Sequence, residues 1–121
     1  MATDNQHKSL NYDLTYLNEL SSGDFLFVQS IIKQFVTEAP LVIEKIDTDY
    51  KLQNWDDLTF QVHKFAPNLA FVGINDIKEE MIDLEIFSKK QIHLTKIPQL
   101  VDILKKRCEL AVSSLKRDFE L

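Results

Sequence analysis

At 121 residues the chain suits a single domain with a core of its own. Its formal net charge of -5 argues against a nucleic-acid or anionic-membrane partner, both of which want a basic face. One cysteine excludes an intrachain disulfide and fits a reducing compartment, and 2 Gly with 3 Pro are too few for a turn-rich all-β domain. Met1 to Ser9 carries no apolar stretch of the signal-peptide kind, and no run approaches about 18 apolar residues. A cytoplasmic protein is therefore expected.

Residues Met1 to Asn11 read as a polar, flexible tail ahead of a helical domain over 12–121. Leu14, Leu17 and Leu20 recur every three residues and predict a short amphipathic helix ending near Ser21-Ser22-Gly23. Ser21 with Asp24 three residues on fits the start of a second helix. That helix carries Phe25, Val28, Ile32 and Phe35, is kinked or restarted at Pro40, and resumes with Val42, Ile43, Ile46 and Tyr50. Asn54 is the expected cap of a third helix, with Asp56 and Asp57 in its first turn. Its stripe of Trp55, Leu58, Val62, Phe65, Leu69 and Val72 follows 3-4 spacing up to Gly73. A fourth helix is expected from Ile74, with Ile77, Met81, Leu84 and Phe87 inward, followed by a polar connection from Ser88 to His93. Thr95 then caps a last helix with Pro98 in its first turn and Ile97, Val101, Leu104, Cys108, Ala111 and Leu115 on one face. One apolar stripe per helix and short connections predict an all-α fold. The expected arrangement is an antiparallel, up-and-down four-helix bundle with a short additional N-terminal helix.

His7 falls in the tail and His93 in a connection. His63 stands apart by its company. At about 100° per residue it lies off the core stripe, and its surface neighbours are Asp56, Thr59, Phe60, Ala66, Pro67 and Ala70. Only one of these is charged, where an ordinary solvated flank carries Lys, Glu or Gln. Small or flat apolar residues around an exposed imidazole make a surface that another protein approaches closely. Pro67 also removes the N–H that would bond the carbonyl of residue 63.

The stretch Leu20-Ser21-Ser22-Gly23-Asp24-Phe25-Leu26-Phe27-Val28, with Ile31, Ile32 and Phe35, resembles the opening of a histidine-containing phosphotransfer (HPt) domain. The segment from Val62-His63-Lys64-Phe65-Ala66-Pro67 to Gly73-Ile74 resembles that family's phosphorylation motif, Ala-His-x-Leu-Lys-Gly-Ser followed by an apolar stretch and Gly-Leu. Trp55-Asp56 ahead of the motif and Pro67 in place of glycine resemble a bacterial subset of the Bacteroidetes kind. The resemblance spans about Tyr12 to Leu115. It implies a phosphocarrier and not an enzyme. His63 takes a phosphoryl group from a receiver-domain aspartate, of a hybrid histidine kinase or a response regulator, and passes it to another receiver. Phosphoryl transfer then rests on positioning and charge stabilisation, with Mg²⁺ on the partner receiver and no cofactor of the chain's own. Thr59, Phe60, Ala66, Pro67, Ala70 and Phe71 form the expected docking surface, and a monomer without metal is expected. The family's lysine three residues after the histidine is here Ala66. Lys64, Lys89 and Lys90 are the candidates to replace its charge. The departure leaves a second reading, a receiver-docking adaptor with weak or no transfer. A metal or cofactor bundle is disfavoured, because Phe60 and Lys90 stand where a Glu-x-x-His pattern needs glutamate.

Overall fold

A computed structural model describes residues 11–121; residues 1–10, with His7 and most of the expected tail, lie outside the described residues. Five α-helices make up most of the described chain, which holds no strand among the described residues. They are α1 (Thr15–Leu20), α2 (Phe25–Lys51), α3 (Trp55–Phe71), α4 (Lys78–Lys90) and α5 (Ile97–Asp118), with a 3-10 turn at Leu94–Lys96 leading into α5. Helix α2 packs on α3 and α5, α4 also packs on α3 and α5, and α1 lies against α2. Each helix owes its place to its apolar stripe. Ile32, Ile46, Leu58, Val62, Leu84, Ile97, Leu104 and Leu115 are all but inaccessible and meet in one core.

Several boundaries differ from the sequence expectation, each for a local reason. Asn11 belongs to the ordered chain. Its side-chain amide donates to Ser114 Oγ at 2.7 Å, and its carbonyl accepts from Arg107 at 3.0 Å. Asp24, and not Ser21, caps α2 by accepting from the Phe27 N–H at 3.2 Å, while Ser21 closes α1 through a bond to the Asn18 carbonyl. A carboxylate in the cap position satisfies a free N–H and also suits the helix dipole. Phe25 is exposed, because the first turn of α2 is not covered by a neighbour. The helix runs unbroken through Pro40, as α3 does through Pro67. Asn54 sits at the start of α3 without a side-chain cap bond.

Helix α4 begins at Lys78, four residues later than expected. Gly73 (φ +73°) and the turn after it carry Ile74 and Ile77 into the core from irregular backbone, so their burial mimics a helical stripe. At the other end α4 continues to Lys90 and buries Ser88, which bonds back to the Leu84 carbonyl. Thr95 lies within the 3-10 turn, and Lys96 stands at the cap of α5.

Helix α2 is long and apolar enough, by length and composition, to cross a bilayer: 27 residues, with a best stretch of mean hydropathy 1.3. The sequence expectation counted uninterrupted apolar runs, and this stretch tolerates charges such as Lys33 and Glu38. A third of that stretch is buried, its inward positions Val28, Ile32, Phe35, Val36 and Ala39 lying in the common core.

Candidate functional site

Helix α3 positions His63 by its register. The neighbours Val62 and Phe65 point into the core, which turns His63 outward with three-quarters of its side chain exposed. The ring is not free. His63 Nδ1 lies 3.0 Å from Glu85 Oε2 on α4, and the Glu85 side chain is one-third exposed. One turn nearer the start of α3, Thr59 Oγ1 and Ser88 Oγ are 2.8 Å apart, and Thr59 Oγ1 lies at the same distance from the Trp55 carbonyl oxygen. The Thr59–Ser88 and His63–Glu85 contacts both cross the α3–α4 seam.

The residues expected around His63 share helix α3 with it, in differing states of exposure. Phe60 is 58% exposed, Pro67 and Ala70 are exposed, and Thr59, Ala66 and Phe71 are half-buried. Helix α4 adds a flank that the sequence reading missed. Ile82 and Ile86 are exposed at 48% and 38%, one turn before Glu85 and one residue after it, both to the same side of it around α4. A groove of about 200 Å³ opens along this seam, lined by Ala66, Ala70, Met81, Ile82 and Glu85 among others. The surface continues past α3. Tyr16 of α1 stacks on Phe71 with ring centroids 6.2 Å apart and an interplanar angle of 18°. Leu20, one turn further along α1, is also exposed. A legible signal for the α4 flank existed in Ile82 and Ile86, an i, i+4 apolar pair off the Met81–Leu84 stripe. Glu85 had no such signal, since nothing in the pattern says which helix faces His63.

The candidate cations are placed unevenly. Lys64 Nζ lies 5.8 Å from the Phe60 ring centroid, a cation–π contact that draws it to the flank of α3. Lys89 is one turn beyond Glu85 on the same stripe of α4, and Lys90 is turned about 100° from it. Among the described residues, none of the three makes an ion pair or hydrogen bond with His63 or Glu85. His93 lies at the far end of α4 with its ring 4.9 Å from that of Phe87.

No group of three or more His, Cys, Asp or Glu among the described residues is arranged to hold a metal ion. Cys108 lies in the core of α5, and burial pushes its thiol up to about 12, so it is a small hydrophobe and not a nucleophile. What the site offers is one accessible imidazole with a carboxylate on one nitrogen, on a largely apolar surface. No family model, curated protein or solved structure matches the chain.

Proposed function

We propose that this protein is a phosphorelay intermediate of the HPt kind, in which His63 accepts a phosphoryl group from a receiver-domain aspartyl phosphate and passes it to a second receiver. The observation that carries the reading is the setting of His63. A three-quarters exposed imidazole shares α3 with Phe60, Ala66, Pro67 and Ala70, beside a groove that Ile82 helps to line, on a helix whose other face is regular core. A nucleophile must be reached by the partner's acyl phosphate, and the apolar surround lets two proteins close around it with little desolvated charge. The same reading takes the fold as an antiparallel four-helix bundle of α2 to α5 with α1 added. The pairs Thr59–Ser88 and His63–Glu85 run in opposite senses along α3 and α4, which supports it.

In this account the chain is a phosphocarrier without a nucleotide site, acts in the cytoplasm as a monomer, and borrows its Mg²⁺ from the receiver. Docking covers Thr59, Phe60, Ala66, Pro67, Ala70 and Phe71, and extends to Ile82, Ile86 and Tyr16. Lys89 is the best placed of the three lysines to meet phosphoryl oxygens, because it shares the stripe of Glu85. Labelled phosphate supplied from a panel of phosphorylated receivers is expected to reach the wild type as an acid-labile, base-stable adduct. His63→Gln is expected to abolish the label and keep the helical circular dichroism spectrum. Undiminished labelling of His63→Gln refutes the assignment.

The docking-only adaptor keeps a specific observation in its favour. Ala66 supplies no cation, and the nearest partner of the ring is a carboxylate. Receiver binding with no label on His63 under any donor would establish that alternative.

A further inference from the structure

We propose that the groove between α2 and α5 binds a small organic cation with an apolar body, of the class of the primary aliphatic amines. The inference is independent of the phosphorelay reading, since none of the residues lining this groove belongs to α3 or α4.

The side chains along the seam explain why it is open. Pro40 and Ile43 of α2 line the groove together with Cys108 and Val112 of α5, and its volume is about 420 Å³. No uncharged side chain lining it is longer than isoleucine, so the two helices meet here without filling the space between them. The exposures record the gap. Ile43 at 7% and Val112 at 8% are the two most accessible members of the buried hydrophobic core, and both lie in this groove. Water standing on that floor is released when an apolar body covers it, which favours binding. The volume falls within the range of small-molecule sites, about 300–1,000 Å³.

The rim sets the sign of the ligand's charge. Glu44 and Asp47 of α2 and Glu109 of α5 border the groove, against Lys105 as the one cation lining it among the described residues. Asp47 is already engaged by Lys51 at 2.8 Å, one turn further along α2. Among the described residues no ion pair engages Glu44, Glu109 or Lys105. Two unpaired carboxylates thus stand against one unpaired ammonium beside an apolar floor. The surplus is a single negative charge, and it matches a ligand with a single positive one. A carboxylate next to a low-dielectric wall attracts a cation more strongly than one in open water. The ligand's apolar body would lie on Ile43, Cys108 and Val112. Its ammonium group, with three donors and no acceptor, would stay at the rim and share those donors between carboxylate oxygens and water. Binding of this kind forms no covalent bond.

Hexylammonium is the probe, with hexan-1-ol and hexanoate as controls of the same length, titrated into the whole chain and followed by methyl-resolved NMR. Hexylammonium is expected to shift the Ile43 and Val112 methyl signals saturably, with a Kd on the order of millimolar, and to leave the His63 ring signals in place. Hexan-1-ol is expected to bind several-fold more weakly, and hexanoate more weakly still. Glu44→Gln and Glu109→Gln sit at exposed positions where the fold tolerates them. Together they should weaken hexylammonium about three- to tenfold and bring it close to hexan-1-ol. High salt should weaken the wild type in the same direction. Lys105→Gln should tighten binding, because it removes the opposing charge. An absence of saturable shifts, hexanoate binding as well as hexylammonium, or an unchanged Kd in the double variant overturns the proposal. Shifts at His63 as large as those at Ile43 and Val112 overturn it as well. So does movement of the two methyl signals on dilution of the protein without amine, which would show the groove occupied by a second copy of the chain.

Discussion

Gly73 closes the helix that carries His63, and replacing it with alanine should be among the costliest small changes on the surface of this fold. Its φ of +73° lies in the left-handed region, where a Cβ costs about 1 kcal/mol. The neighbourhood adds to this. A Cβ there would run into the Asp13 carbonyl oxygen and lie 2.6 Å from Asp13 Cβ and 2.7 Å from Asp13 N, so backbone and not a pliable side chain must yield. Moving Asp13 breaks its N–H bond to the Val72 carbonyl at 2.9 Å, about 1 kcal/mol, and loosens the buried anchors Tyr12 and Leu14 on either side. The expected loss for Gly73→Ala is ~2–4 kcal/mol, a large part of a typical domain's stability. Gly23 supplies the control. Its φ is +78°, but nothing lies within 4 Å of its would-be Cβ, so Gly23→Ala should lose only about 1 kcal/mol. Urea unfolding followed by circular dichroism measures both. If the two variants unfold at the same midpoint, the close approach of Asp13 to the end of α3 is wrong.

Three further expectations follow from other parts of the molecule. Tyr12 donates to Asp118 Oδ2 at 2.7 Å, and Asp118 is held below the usual carboxylate range, chiefly by its bond from Arg117 and next by Tyr12. A depressed carboxyl contributes stability above its unfolded pKa and loses it as pH falls through the folded value. Tyr12→Phe should therefore unfold about 1 kcal/mol more easily near neutrality, with the gap to wild type narrowing in acid; a gap that widens in acid would contradict the assignment. The Cys108 thiol, at about 12 and buried, should react with a chromogenic disulfide at pH 8 at least about a hundredfold more slowly in the folded protein than in denaturant. Equal rates would place Cys108 at the surface. Val62→Ala, next to His63 but fully buried, should cost about 1–3 kcal/mol by thermal unfolding; an unchanged melting temperature would place Val62 outside the core.

Much of this molecule is legible along the chain. Helical periodicity marked the stripes of α3 and α5, because a buried face repeats where backbone hydrogen bonding fixes the turn. Gly73 was readable as the end of α3, since only a residue without Cβ enters the left-handed region cheaply. The outward direction of His63 followed from the same arithmetic. What periodicity misreads are residues buried for reasons other than a helical face. Ile74 and Ile77 reach the core from a turn, so α4 was expected four residues too early. Phe25 continued the stripe of α2 but lies where no neighbour covers it. A local cap was also misplaced: the Ser21–Asp24 pattern set the start of the second helix at Ser21, and the bond to the Phe27 N–H makes Asp24 the cap.

Spacing along the chain suffices for the helical class, for the buried faces of α3 and α5, and for the place of His63 off the core in apolar company. These are properties of a single helix, set by spacing at fixed angle. Tertiary structure alone decided what lies across from that histidine. Glu85 is 22 positions away, and the seam of α3 with α4, together with the Thr59–Ser88 contact, brings its carboxylate to 3.0 Å from Nδ1. Helix periodicity carries no information about which neighbouring helix packs there or at what height, because that is settled by side-chain packing between elements.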